Sequence, residues 1–273
     1  MKIILLLLFS WFTAFISFGQ ETEKKNALAL SFGPAYIMRQ DLIFSPVIHA
    51  DLSFLNLGLD YTRESKLFQK VRLRYASFNP MVAEPYEFSV HSDTESAYPH
   101  SFNFIDLDYQ IGKKLSENQK SRITVGGLLS ADIHALTYVY GRISSLGYYS
   151  AFGLGVFGTY GRSINAKSNL AATLQIPLIA WLARSPYLVN DEEFIENISS
   201  HSGFNTFMAF ISDGQFVTWN KMQTLDLELK YTYSLSEKWD LAAAYLFEFI
   251  HVSKPRNLLS FRNSLNLSAN FRF

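Results

Sequence analysis

Between Thr224 and Tyr233 apolar and polar residues alternate without a break. Leu225, Leu227, Leu229, Tyr231 and Tyr233 take one parity; Thr224, Asp226, Glu228, Lys230 and Thr232 take the other. The chain end repeats the pattern, with Leu265, Leu267, Ala269, Phe271 and Phe273 set against Ser264, Asn266, Ser268, Asn270 and Arg272. Successive side chains of a strand point to opposite faces, so each segment has one greasy wall and one wet wall. Ten segments follow this period: 27–38, 47–62, 70–79, 101–113, 121–138, 145–161, 168–182, 222–234, 238–251 and 260–273. In the second, the apolar phase slips at Phe54 and Leu55, which predicts a bulge or bend. In the sixth, Gly153 and Gly155 lie opposite Phe152, Leu154 and Val156, on a wall where glycine leaves room for larger neighbours.

A soluble sandwich or a lipocalin would alternate in the same way. Connection lengths and ring placement separate the cases. Short polar turns at 63–69, 114–120, 162–167 and 235–238 fall at one end, while the long segments 80–100 and 183–221 fall at the other. Outer-membrane barrels have this asymmetry, with short periplasmic turns and long extracellular loops. Tyr61, Tyr109, Tyr233 and Phe273 lie on the apolar parity near the short-turn ends, with Phe271 beside them and Trp239 opening the next strand. Amphipathic rings favour the membrane–water boundary, so this set reads as an aromatic girdle. The expected fold is all-β: a closed antiparallel transmembrane β-barrel of about ten strands, with eight or twelve as the other even counts. Phe204 to Ile211 and Gln215 to Trp219 would supply an extra hairpin, either above the membrane or in the wall.

The first residues have a different pattern. Lys2 precedes an apolar run from Ile3 to Leu8 that continues through Phe9, Trp11, Phe12, Ala14, Phe15 and Ile16 to the small residues Ser17 and Gly19. This is the order of a secretory signal peptide, 1–19, cleaved after Gly19; an uncleaved anchor of similar length is the alternative. Residues 20–26 then form a short periplasmic segment, and 27–273 the barrel, with 183–221 as its long extracellular loop. The mean hydropathy of +0.05 excludes a bundle of membrane helices but not a barrel, half of whose strand residues face a polar interior. The charges balance at 24 basic and 24 acidic, so no nucleic-acid partner is expected. Cysteine is absent, which excludes disulfides, thiolate metal sites and acylation of a lipoprotein cysteine.

The segment from Leu265 to Phe273, closing on Phe271, Arg272 and Phe273, resembles the terminal strand signal read by the outer-membrane barrel assembly machinery. With the leader, the chain resembles the general class of Gram-negative outer-membrane β-barrel proteins. The resemblance implies export to the outer membrane, lipid around the wall, and the assembly machinery as a partner through the last strand.

Registers symmetric about each connection set Asp60 and Asp108 opposite Arg72, and Asp106 opposite Arg74, all on the inner wall. Asp226, Glu228, Lys230, Glu248 and Arg272 share that wall. Opposite charges facing each other across a strand pair contribute roughly 0.2–1 kcal/mol each. The expectation is a salt-bridged, largely side-chain-filled lumen; an ion or proton path along the same groups is the alternative.

Candidate chemistry is sparse. Six histidines occur outside any metal or triad motif, and no cofactor or metal site is expected. His91 and His100 flank Asp93 and Glu95 in the first long loop, where a solvated surface is the simpler reading. Asp132 and His134 share a face of the fifth strand, and a carboxylate orienting a histidine is half of an acid–base pair. This resembles the omptin proteases, ten-stranded barrels with Asp and His at the extracellular mouth, but the resemblance covers two residues and lacks a second acidic pair. Ser253 near His251 would suit an outer-membrane lipase or deacylase, again without a surrounding motif. The segment 183–221 carries Asp191, Glu192, Glu193 and Glu196, then Phe204, Phe207, Phe210, Phe216 and Trp219. Three functions follow: a structural barrel or one binding a ligand or partner protein through its loops, a small-solute channel, and a membrane-embedded hydrolase.

Overall fold

A computed structural model of the chain describes residues 26–81, 87–90, 93–96, 99–117, 120–140, 143–185, 208 and 211–273. The expected leader and residues 20–25 lie outside these. The alternating segments form strands: β1 (Asn26–Phe32), β2 (Ala35–Asp41), β3 (His49–Ser53), β4 (Asn56–Glu64), β5 (Phe68–Phe78), β6 (Glu87–Val90), β7 (Asp93–Ser96) and β8 (Ser101–Glu117). There follow β9 (Ser121–Tyr140), β10 (Ile143–Ser163), β11 (Ser168–Arg184), β12 (Gln215–Thr218), β13 (Met222–Ser234), β14 (Trp239–Val252) and β15 (Leu258–Arg272). All but β6 and β7 join one antiparallel sheet, which closes on itself where β1 pairs with β15. Asn26 and Phe273 exchange two backbone hydrogen bonds at that seam, of 3.2 and 2.9 Å.

The wall has ten staves, because three of them are broken strands. β1 and β2 form the first, interrupted at Gly33–Pro34, and β3 and β4 form the second, interrupted at Phe54–Leu55, where the apolar phase slips. A Cβ on Gly33 would stand 1.9 Å from the Leu265 carbonyl oxygen, so only glycine lets the first stave kink against β15. β12 continues the line of β13 upward and pairs with β11. The expected hairpin of 204–211 with 215–219 is thus not the arrangement of Gln215–Thr218, whose partner is Ile179–Leu182. Residues 204–207 and 209–210 lie outside the described set. The long connection narrows from 183–221 to 185–214, since Ala183 and Arg184 still pair with β10. β10 and β11 slip register beside Gly155, where a Cβ would stand 2.2 Å from the Ile176 carbonyl oxygen.

The short connections 65–67, 118–120, 164–167 and 235–238 share one rim. On the opposite rim are the connections 42–48, 79–100, 141–142, 185–214 and 253–257, placed by the strand ends that flank them. Strands of a closed barrel tilt by about 35–45°. The tilt is visible in the register. From Glu64 at the foot, hydrogen-bonded partners run through Phe68, Gly112, Gly126, Phe157, Gln175, Asp226, Glu248 and Arg262, and meet the first stave again at Ile37, far above Asn26.

The outer wall is apolar and bare, with Leu267 and Leu265 about 60% exposed. At the short-turn rim Trp239 packs on Phe271 at 5.0 Å and Phe271 on Phe273 at 5.9 Å. Tyr233 lies nearby, at the end of β13, and Tyr61 donates its hydroxyl to Asn26 at 3.1 Å. Tyr109 sits higher than the girdle reading expects, because β8 runs on to Glu117 with Ile111 and Leu115 exposed below it. A second belt, not expected from the sequence, marks the other end on the β11–β15 side of the wall: Phe249 against Phe261 at 5.3 Å, and Trp181 against Phe216 at 5.0 Å. Trp239 to Phe249 and Phe261 to Phe271 each span ten residues. At a rise of ~3.3 Å and a tilt of ~40°, that separates the belts by ~25 Å, the height of a barrel's lipid-facing band. Leu227 lies between the belts. Leu227→Arg is therefore expected to cost ~2–4 kcal/mol in reversible urea unfolding from lipid vesicles; a shift near zero would mean that lipid does not touch this face.

Candidate functional site

The inner parity of ten tilted staves converges on a lumen, and its contents fall into layers. At the foot, Arg122 pairs with Glu64 at 2.8 Å and Lys114 joins it at 3.3 Å, while Arg272 forks onto Asp240. The next layer holds Asp60, Lys70, Arg72 and Glu228. Asp60 accepts from Lys70 at 3.0 Å and from Arg72 at 3.2 Å, and Arg72 reaches across the lumen to Glu228. Above it, Arg74 contacts Glu248 at 2.6 Å and lies within 3.6–3.8 Å of Asp106, Asp108 and Asp226. Arg262 pairs with both Asp106 and Glu248.

The hairpin registers set Asp60 opposite Arg72, Arg72 opposite Asp108, and Arg74 opposite Asp106. The strongest contacts are not all between those partners. Arg72 and Arg74 extend to glutamates on β13 and β14, and Asp108 stands closer to Arg74 than to its own cross-strand arginine. Arg72, Arg74, Asp106, Asp108, Glu228, Glu248 and Arg262 are all at least nine-tenths buried. Charges at that depth persist only when paired and hydrogen-bonded. The cross-lumen pairs therefore act as struts between opposite walls. Beside them lie two cavities of about 30 Å³ each, one next to Asp132 and Asp226, the other next to Asp60 and Lys230. Each has room for about one water.

Above the struts the lumen turns apolar. Ile37, Phe78, Phe102, Phe104, Leu136 and Tyr138 pack on one side, and Tyr149, Leu182, Met222, Val252 and Leu258 on the other. Phe44, from the 42–48 connection, stacks on Tyr138 at 4.5 Å. Between the two clusters a last charged group ties staves together: Arg184 pairs with Asp41 at 2.6 Å and donates to the carbonyls of Lys254 and Arg256, while Arg39 lies 3.5 Å from Asp41.

Asp132 and His134 share the inner wall but do not bond to each other. Asp132 stands opposite Asp106 and lines the cavity. His134 contacts Asp106 at 3.6 Å and Arg39 at 3.3 Å, and its ring lies against Phe104 and Tyr149 at 4.1 and 4.8 Å. It is 4% exposed and lies beneath the aromatic roof rather than at an open mouth. His251 bonds to Gln223, and Ser253 donates to the Lys221 carbonyl at 3.2 Å, so the second candidate pair is also occupied elsewhere. His91, and the side chains of Asp93 and Glu95, lie outside the described residues. His100 instead joins the roof: it lies 4.8 Å from His49, and its Nδ1 accepts the Val139 backbone N–H at 2.8 Å.

Such a fold and interior define a closed, internally braced barrel with the architecture of Gram-negative outer-membrane β-barrels. No protein-family model matches the chain, and no curated protein matches it in sequence. Among solved structures, the outer membrane protease OmpT from Escherichia coli is similar in fold, with a TM-score of 0.54 at 6% identity over 94% of this chain and 99% of that one. The translocator domain of the autotransporter NalP from Neisseria meningitidis aligns at a TM-score of 0.41 and 7% identity, covering 100% of this chain and 97% of that one. Neisserial surface protein A aligns at 0.37 and 9% identity, over 93% and 100%. At these identities the likeness concerns fold alone.

Two outcomes test the site. Arg72→Ala leaves Glu228 in the lumen with the longer Lys70 contact, at 3.8 Å, in place of its arginine, and is expected to cost ~2–4 kcal/mol of folding stability, somewhat less than a buried charge left wholly unpaired; a loss under ~1 kcal/mol would mean that water already solvates the pair. The second concerns pH. Burial holds the His100 imidazole below its ordinary value, and the Val139 N–H requires Nδ1 to stay unprotonated. A depressed histidine contributes its stability above the ordinary value of 6.5 and loses it as pH falls from there through the folded value. Thermal stability should therefore decline as pH falls below about 6.5, and His100→Phe should flatten that slope. An unchanged slope in the variant would assign the decline to other groups.

Proposed function

We propose that the chain is exported to the outer membrane, loses residues 1–19, and works as a closed barrel with its short turns in the periplasm. Its role is structural, or the binding of a ligand or partner protein through the loops outside. The observation that carries this reading is the braced lumen: struts from Arg72, Arg74 and Arg262 cross between walls, beneath an apolar roof. A solute path requires a continuous wet passage, and the apolar layer around Phe102, Tyr138 and Leu258 lies across it. The connections 79–100 and 185–214 are the surfaces left to meet a partner, and loops on a rigid scaffold commonly carry function. The last strand is the segment that the assembly machinery would read, since β15 also makes the closing seam with β1.

Planar-bilayer recording of the purified protein tests the reading. A closed lumen predicts no stable conductance steps in the wild type. Regular ohmic steps would contradict it and favour the channel.

A further inference from the structure

Below the lower aromatic belt the outer wall is cationic. On β4, Arg63 follows Tyr61 on the same face; on β8, Lys113 follows Ile111; on β10, Arg162 follows Tyr160. All three side chains are exposed, and each lies one outward step beneath an apolar or aromatic residue that faces lipid. The turns add Lys66, Lys120, Lys167 and Lys238, also exposed. Glu64 and Asp240 on this rim are already engaged by Arg122, Lys114 and Arg272. Among the described residues, none of the three wall cations and none of the four turn lysines has an ion pair. The opposite boundary differs. Beside the upper belt the outward wall positions are Gln40, Gln223 and His251, the last two bonded to each other, and the exposed cations Lys221, Lys254 and Arg256 lie in the connections rather than on the wall.

We propose that this basic collar is a docking surface for the headgroups of anionic phospholipid, of the phosphatidylglycerol type, in the leaflet at the short-turn rim. It rests on the reading that lipid covers the outer wall. Two observations choose this occupant. The collar is continuous with the apolar band, so whatever touches it must also have an acyl region against Leu170, Ile123 and Tyr160. Its wall cations Arg63, Lys113 and Arg162 have no ion pair among the described residues and outnumber the exposed acid of the turns, Glu237 beside Lys238, and this net positive field favours a phosphodiester carrying net negative charge over a zwitterionic headgroup. Arginine offers a planar fork to phosphate oxygens, whereas lysine offers a point charge, so Arg63 and Arg162 hold the headgroup and Lys113 strengthens the field.

The full chain would be folded into vesicles of phosphatidylcholine alone and of phosphatidylcholine mixed with phosphatidylglycerol. Lipids retained on detergent extraction would then be identified by native mass spectrometry. The wild type should retain phosphatidylglycerol over phosphatidylcholine by a factor on the order of ten. That factor should fall to near one in Arg63→Gln/Lys113→Gln/Arg162→Gln, and in the wild type at high salt. Gln40→Ser/Gln223→Ser, which alters the opposite boundary, should leave it unchanged. Equal retention of both lipids by the wild type, or undiminished selectivity in the triple variant, overturns the collar while leaving the barrel intact. A heat-modifiable gel band monitors folding in every sample. If that band never forms in any lipid, the lipid-facing wall itself is wrong and the collar falls with it.

Discussion

A hydrocarbon surface offers no partner for an N–H or a carbonyl, and this one constraint organises the molecule. Every strand in the lipid band must be paired on both sides, so the sheet must close, and β1 must meet β15. Once closed, the wall has no polar outlet on its outer parity. The polar parity of each strand is forced into a lumen only one or two side chains wide. The ion pairs there are a consequence of closure: charged residues driven inward either find a partner across the barrel or destabilise it. Arg72 with Glu228, Arg74 with Glu248 and Arg262 with Asp106 are the solutions this chain adopts.

Much of this was legible from a period of two. Side-chain parity determines which residues face in, and short turns determine register, so the ten segments and the pairing of Asp60, Arg72, Arg74, Asp106 and Asp108 across neighbouring strands follow from counting along the chain. The slip at Phe54 and Leu55 marks a real break in the second stave. Four things were hidden. Parity assigns a face but not an azimuth, so it cannot say that Arg72 leans toward Glu228 or that His134 meets Asp106 instead of Asp132. Strand tilt lifts hydrogen-bonded partners around the wall, so Tyr109, close to Tyr61 in register, ends well above the rim. The upper belt went unseen because Phe249 and Phe261 read as ordinary members of an apolar wall until their ten-residue offset from Trp239 and Phe271 becomes a height. The return of Gln215–Thr218 onto β11 left no trace in the local pattern.

The interior also explains why chemical motifs read from spacing lead nowhere in this chain. Residues two apart on a strand share a face, which makes Asp132 and His134 neighbours in sequence and in parity. They do not meet: His134 contacts Asp106 and Arg39 under an aromatic roof, while Asp132 faces the cavity. Within a narrow barrel, proximity along one strand counts for less than reach across the lumen. The outer surface has no such competition. There, among the described residues, Arg63, Lys113 and Arg162 at the short-turn rim stand without an ion pair.

The chain has no cysteine, so single cysteines can carry a polarity-sensitive dye without background. The most direct measurement places that dye at Leu227→Cys and Leu267→Cys in protein folded into vesicles whose acyl chains are brominated, with Lys238→Cys as the aqueous reference. Emission typical of hydrocarbon and strong quenching at the two wall positions, with water-like emission and weak quenching at the third, is the predicted result. Water-like, unquenched emission at both wall positions would contradict a lipid-facing exterior, and with it the closed, braced barrel.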